Sequence, residues 1–111
     1  MKIVVVSGGF DPVHSGHIAY FKSAKKLGDK LIVALNSDKW LINKKGKFFM
    51  PFEERSTIIK NLAMVDEVID FEDDEFGSAS HALIKIKESY PNNEIISVSY
   101  THLRAHETYP H

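Results

Sequence analysis

Apolar positions in this chain fall into two alternating patterns. Short, unbroken apolar runs recur at "KIVVVS" (2–7), "KLIVALN" (30–36), "DEVIDF" (66–71) and "NEIISVSY" (93–100). The first two are continuous and rich in branched residues, which suits strands buried on both faces of a parallel sheet. Between the runs the spacing turns helical. In "HSGHIAYFKSAKKLGD" the residues Ile18, Phe21, Ala24 and Leu27 recur at helical intervals, lysines fall late, and Gly28 supplies a stop signal, predicting a helix over Ser15–Leu27. "SDKWLINKK" predicts a short helix and "GKFFM" a loop. "PFEERSTIIKNLA" opens on Pro51 and early acids, as helix starts do, with Ile58, Ile59, Leu62 and Ala63 as one stripe. "SASHALIKIKESY" predicts a further helix with Ala82, Leu83 and Ile86 inward.

Strands and helices alternate throughout, which predicts an α/β fold with a doubly wound parallel sheet. The first strand, helix and strand form a unit whose crossover is expected to be right-handed. The 111 residues suffice for one core and show no internal repeat or low-complexity linker.

Composition narrows the partners. With 43% hydrophobic and 26% charged residues the chain reads as an ordinary soluble domain. Fourteen basic against fifteen acidic residues give a formal charge of −1, so no global surplus draws in nucleic acid or an anionic membrane, and neither is expected as a partner. Any phosphate chemistry must be local. The absence of cysteine excludes disulfides, thiol catalysis and cysteine-ligated zinc. The N-terminus has no basic stretch leading into an apolar one, and no window approaches the roughly 20 apolar residues of a membrane span, so a cytoplasmic protein is expected. The acidic run "FEDDEFG" (71–77) reads as a solvated loop.

The chemistry concentrates in "SGGFDPVHSGH" (7–17), at the exit of the first strand. Ligands of open parallel sheets sit beyond the carboxyl ends of strands, where the chain turns into helices. Gly8 and Gly9 allow a sharp turn and close backbone approach, and Pro12 stiffens it. The helix starting near Ser15 points free N–H groups and its positive dipole end at the same spot, which favours phosphate. His14 and His17 are three apart, so they share a helix face and can reach one ligand. Imidazoles donate hydrogen bonds and suit a phosphoryl group whose charge shifts during reaction. Neither G-x-x-x-x-G-K-[ST] nor G-x-G-x-x-G is present, so P-loop and dinucleotide fingerprints are excluded. Two histidines without a third ligand make a poor zinc site, and no metal ligand is assigned.

"GGFDPVHSGH" resembles the G-x-F-D-x-x-H-x-G-H signature of the nucleotidyltransferase superfamily that includes cytidylyltransferases and small adenylyltransferases. The likeness extends through "LGDKLIVALNSD", "PFEERSTII" and "VDEVIDFEDD", over roughly residues 2–75. It is nearest to glycerol-3-phosphate cytidylyltransferases and to the adenylyltransferase domain of ADP-heptose synthesis. The resemblance implies a Rossmann-like nucleotidyltransferase fold and transfer of a nucleotidyl group from CTP or ATP to a small sugar or polyol phosphate, releasing pyrophosphate. Mg²⁺ and a homodimer are implied as well. So is a site in which His14, His17 and Lys44 act in catalysis, while Gly8, Gly9, Phe10, Asp11, His14, Gly16, His17, Lys47 and Arg55 bind the nucleotide. Within it Asp11 takes a structural or polar active-site role, and Arg55 contacts phosphate or braces its helix. Lys44 and Lys47 reach phosphates or are solvated. Asp38 matches the aspartate of the family's (N/S)-(S/T)-D segment, and Trp40 is read as packing.

Departures bear on the acceptor and on the C-terminus. Ala63 stands where glycerol-3-phosphate cytidylyltransferases have an arginine, and "LIVALNSD" is closer to the heptose group. After "NNEII" the family's Gly-Gly-Asp-like turn and later Ser/Thr-rich phosphate-binding segment are missing, and "SVSYTHLRAHETYPH" resembles a translated adapter string. The domain is therefore expected over 1–96, incomplete at its C-terminus, with 97–111 a non-family tail. His102, His106 and His111 are not read as a metal site. The alternative function is a catalytically inactive nucleotide-binding module or fragment.

Overall fold

The computed structural model describes residues 1–71 and 80–98. Residues 72–79, with most of the acidic run, and the tail from 99 onward, with its three histidines, lie outside the described residues. Four strands, β1 (Lys2–Gly8), β2 (Lys30–Asn36), β3 (Glu67–Phe71) and β4 (Glu94–Ser97), alternate with α1 (Ser15–Lys25), α2 (Asp38–Lys45), α3 (Phe52–Lys60) and α4 (Ser80–Ser89). The sheet order is β3-β2-β1-β4. All three pairings are parallel, with Ile3 beside Lys30, Gly8 beside Leu35, and Val5 beside Ser97. This is the parallel α/β architecture expected from the alternation of strands and helices, and the Rossmann-like fold that the family resemblance implies.

The order decides where a ligand can sit. The chain adds strands outward from β1 to β2 to β3, then crosses back to lay β4 on the other side of β1. Right-handed crossovers in opposite directions put their helices on opposite faces. One face buries Val4, Val6, Leu31, Val33 and Leu35 with Phe21 and Ala24 of α1 and Ile59 of α3. The other buries Ile3, Val5, Ile32 and Ala34 with Ala82 and Ile86 of α4. The winding of the chain therefore reverses between β1 and β4, and the crevice of such a fold opens beyond their carboxyl ends. The signature loop leaves β1 at that place.

Several boundaries differ from the expectation for local reasons. α1 stops at Lys25, and its buried stripe is Tyr20, Phe21 and Ala24. Leu27, expected inward, is 44% exposed because it lies past the last turn. Gly28 is not a left-handed cap: α1 is capped at Lys26, and Gly28 is fixed by space, since a Cβ there would stand 2.7 Å from Val4 Cγ2 and 2.9 Å from the Lys2 carbonyl. α2 does end in a left-handed glycine, Gly46 at φ 85, whose N–H bonds the Ile42 carbonyl at 2.8 Å. α3 ends at Lys60, leaving Ala63 exposed while Leu62 packs on the core. The described fold also runs past 96: Ser97 ends β4, and Val98 is buried, its N–H bonded to the Val5 carbonyl at 3.0 Å.

Candidate active site

Phe10 sits at φ 49, a left-handed conformation that disfavours a large side chain by about 1–3 kcal/mol. Its ring offsets this by burial. It is 8% exposed and packs edge-on against His17 (4.9 Å between centroids) and Phe21 (5.1 Å). The side chain is therefore a wedge beneath His17, and only the backbone of Phe10 is left to face a ligand. The following Asp11–Pro12 bond is cis. Gly9 is constrained from the other side: a Cβ on it would lie 2.8 Å from Leu41 Cδ2 of α2.

Asp11 does not point at the histidines. Its carboxylate, 1% exposed, accepts the Phe49 N–H at 2.6 Å and the Met50 N–H, and pairs with Lys45 Nζ at 2.9 Å. Burial alone would push this carboxyl up, but the Phe49 amide, Lys45 and the Met50 amide outweigh it and hold it below its ordinary value. The structural role left open for Asp11 is thus the one its contacts describe: it ties the β1–α1 loop to the segment before α3.

Arg55 does the same from within α3. It is fully buried, and its Nε donates to the Met50 carbonyl (2.8 Å), its Nη1 to the carbonyls of Gly9 and Asn36 (2.8 Å each), and its Nη2 to Asp38 Oδ1 (2.6 Å). Four of its five N–H groups are thereby engaged within the protein. A phosphate contact has no exposed guanidinium to meet, so the bracing alternative is the one the geometry carries. Asp38 Oδ1 also accepts the Phe52 N–H at 2.8 Å, capping α3 from another helix because Pro51, at the N-cap, makes no side-chain cap bond.

On this braced loop the two imidazoles cap α1. His14 is the N-cap, and its Nδ1 accepts the Gly16 N–H at 3.0 Å. His17 Nδ1 accepts the His14 N–H at 3.2 Å. The pair forms a capping box in which imidazoles stand in for the usual hydroxyl and carboxylate. The rings stack with centroids 3.9 Å apart and an interplanar angle of 25°. A nitrogen that accepts a backbone N–H must carry its lone pair, so each neutral ring bears its proton on Nε2. Burial, and to a lesser degree the neighbouring His14, pushes His17 down to about 4, so it is neutral near pH 7. The first turn of α1 has no acid and the last carries Lys22 and Lys25, leaving the positive dipole end uncompensated.

The lysines divide unexpectedly. Lys45, which the sequence reading passed over, makes the ion pair with Asp11, whereas Lys44 lies exposed on α2 with its Nζ 5.5 Å from the Trp40 ring centroid. Lys47 is exposed in the loop after Gly46. Neither has a described contact with the histidine pair. Tyr20, also missed, is buried and donates from its hydroxyl to the Val98 carbonyl at 2.7 Å, joining α1 to the end of β4; burial raises its pKa above the ordinary value. Its position three after His17 on the same helix face was the available signal.

No group of three ligating side chains that could hold a metal occurs among the described residues. Asp11 and Asp38 are committed to amides, Lys45 and Arg55. The described residues thus build no cage for Mg²⁺, an ion commonly bound largely through substrate phosphates and water.

The fold is that of a Rossmann-like α/β domain with the G-x-F-D-x-x-H-x-G-H signature at the exit of its first strand. Residues 5–100 match the cytidylyltransferase-like family, and the chain belongs to it. Among curated relatives it is similar to the bifunctional protein HldE of Proteus mirabilis (strain HI4320), 45% identical over 75 residues, and to that of Blochmanniella floridana, 48% identical over 75 residues. Each alignment covers 66% of this chain but 16% of the relative, so the chain spans about a sixth of the length of these proteins. Among solved structures, the lipopolysaccharide core biosynthesis protein from Thermoplasma volcanium GSS1 superposes with a TM-score of 0.65 at 26% identity, covering 89% of this chain and 95% of that one. A protein of unknown function from Archaeoglobus fulgidus shares the fold, with a TM-score of 0.57 at 21% identity and 90% of each chain covered. No helix among the described residues is long and apolar enough to cross a membrane.

Proposed function

We propose that this domain transfers a nucleotidyl group from CTP or ATP to a small sugar or polyol phosphate. An oxygen of the acceptor phosphate attacks the α-phosphorus of the nucleotide, a new P–O bond forms, the bond to the β-phosphate oxygen breaks, and pyrophosphate leaves. No enzyme nucleophile is required, so positioning and charge stabilisation carry the rate. The observation that carries the reading is the imidazole capping box. It fixes the protons of His14 and His17 on Nε2 and stacks the two rings at the positive end of α1, where donors to a triphosphate are wanted.

In this reading the backbone of Gly8, Gly9, Phe10 and Gly16 borders the nucleotide, His14 and His17 donate to its phosphates as charge develops, and Lys44 and Lys47 reach the phosphates from α2 and its following loop. Asp11 and Arg55 hold the loop in place without touching the ligand. Mg²⁺ would be held by the substrate phosphates rather than by a protein cage. The likeness to a lipopolysaccharide core biosynthesis protein supports a sugar phosphate as acceptor.

The test is direct: incubate the chain with each nucleoside triphosphate, Mg²⁺ and a panel of sugar and polyol phosphates, and assay pyrophosphate. Release that requires both substrates supports transfer. Nucleotide binding by calorimetry without release supports the inactive binding module instead.

A further inference from the structure

Among the described residues Phe10 is the one non-glycine with a positive φ. Glycine or asparagine takes this conformation at little cost, yet the loop sets its glycines at 8 and 9 and a bulky ring here. The ring fits because Gly8 has no side chain: a Cβ there would stand 3.1 Å from Phe10 Cζ and 3.3 Å from each Cε. The ring also packs on Phe21 and, at 6.4 Å between centroids, on Tyr20, whose hydroxyl is tied to the Val98 carbonyl. Of its described ring contacts the shortest is with His17, at 4.9 Å and 77° between planes.

His17 has need of such a support. Its Nδ1 contact with the His14 N–H is 3.2 Å long, at the outer edge of the hydrogen-bond range, and a ring held at one nitrogen can still tilt about that point. His14, stacked on it, is itself exposed. A buried ring set nearly perpendicular to His17 and fixed in turn by Gly8, Phe21 and Tyr20 takes that freedom away. We infer that Phe10 is a positioning residue, its side chain setting the direction in which the His17 Nε2–H points. The inference rests on the nucleotidyltransferase reading for what that donor does, and on the ring contacts for how it is held. It also accounts for a strained backbone at a residue whose side chain meets no ligand.

The test uses the full chain, Phe10→Leu and Gly8→Ala. The first keeps an apolar side chain without a flat ring; the second keeps the ring and presses a Cβ against it. Isotope-edited NMR of the imidazole nitrogens reads the His17 tautomer. The parent is expected to hold the proton on Nε2, and both variants to show a second population with the proton on Nδ1, because a tilting ring gives up its Nδ1 contact. Steady-state kinetics, at a temperature where each variant is folded, should show kcat lowered about tenfold with the KM for the nucleotide within about twofold, since a misaimed donor costs less than a deleted one. A purely structural Phe10 would lower the melting temperature and leave tautomer and kcat at parental values. That result, or a KM that rises while kcat holds, overturns the inference. If Phe10→Leu does not fold, Gly8→Ala is read by the same two measurements. A parent chain that releases no pyrophosphate tells against the transferase reading, while the tautomer measurement still decides the role of Phe10.

Discussion

His14 and His17 hold each other in place through the backbone: His17 Nδ1 takes the His14 N–H at 3.2 Å, and the rings stack with centroids 3.9 Å apart. The same two side chains therefore start the helix and present its donors. Structure and chemistry are coupled at these positions, because an imidazole that gives up its Nδ1 contact also loses its orientation. The consequence is that alanine variants confound the two roles, whereas an isostere separates them.

Asn keeps an acceptor near the position of Nδ1 and removes Nε2. His17→Asn is thus expected to retain stability to within about 0.5 kcal/mol while lowering kcat by roughly 10²-fold, the scale of one lost oxyanion donor. His17→Ala is expected to lose both, with a stability cost of about 1 kcal/mol for the broken cap. Urea melts beside pyrophosphate-release assays read the two losses separately. A His17→Asn variant as active as the parent would remove His17 from the chemistry.

Stability should fall on mild acidification because of His17. Its folded pKa lies near 4 against an ordinary 6.5, so between these values the unfolded chain binds more protons than the folded one. The contribution is fully present above pH 6.5 and is lost as the pH falls toward 4, at less than ~1.4 kcal/mol per pH unit because solvent screens a half-buried ring. Asp11 and Asp66 have folded values lowered from 3.8, so their losses come at more acidic pH and leave this window to His17. Urea midpoints at pH 7, 5.5 and 4.5 should slope for the parent and flatten for His17→Asn. Parallel slopes would assign the effect elsewhere.

What the sequence revealed and what it hid follow from the range of the interactions involved. The strands were legible because "KIVVVS" and "KLIVALN" are buried on both faces and need no partner to be recognised. The histidine pair was legible because its geometry is local, spanning three residues of one helix. The role of Arg55 was not, since its acceptors come from Gly9, Asn36, Asp38 and Met50, and only the fold brings these together. Lys44 and Lys45 are adjacent in a run of like residues, and which one meets Asp11 depends on the turn of α2 just before Gly46. Gly28 read as a stop signal, although its requirement is a tertiary clash with Val4 and Lys2.

Arg55→Lys should fail as a conservative change. An ammonium has three donors and no planar fork, so at least one of the four acceptors now served by the guanidinium is stranded in a buried site. A loss of about 2–4 kcal/mol is expected, on the scale of breaking a buried charged network. Equilibrium urea unfolding measures it. A loss below about 0.5 kcal/mol would mean that the network tolerates a missing donor, and the bracing role would have to be given up.

Lys44 and Lys45 offer the sharpest contrast, because they are neighbours with different predicted duties. Lys45→Ala strands the Asp11 carboxylate, which is 1% exposed, with only the two amides of Phe49 and Met50, so a stability loss of about 1–2 kcal/mol is expected. Lys44→Ala removes only a solvent-facing ammonium near Trp40, and stability should stay within about 0.5 kcal/mol. Activity should divide the other way. Lys44→Ala is expected to raise the KM for the nucleotide several-fold if its ammonium reaches a phosphate, whereas Lys45→Ala acts on kcat and KM together through a loosened β1–α1 loop. Thermal melts paired with steady-state kinetics on both variants decide the matter, and a Lys44→Ala enzyme with parental KM and kcat would return Lys44 to the solvated surface.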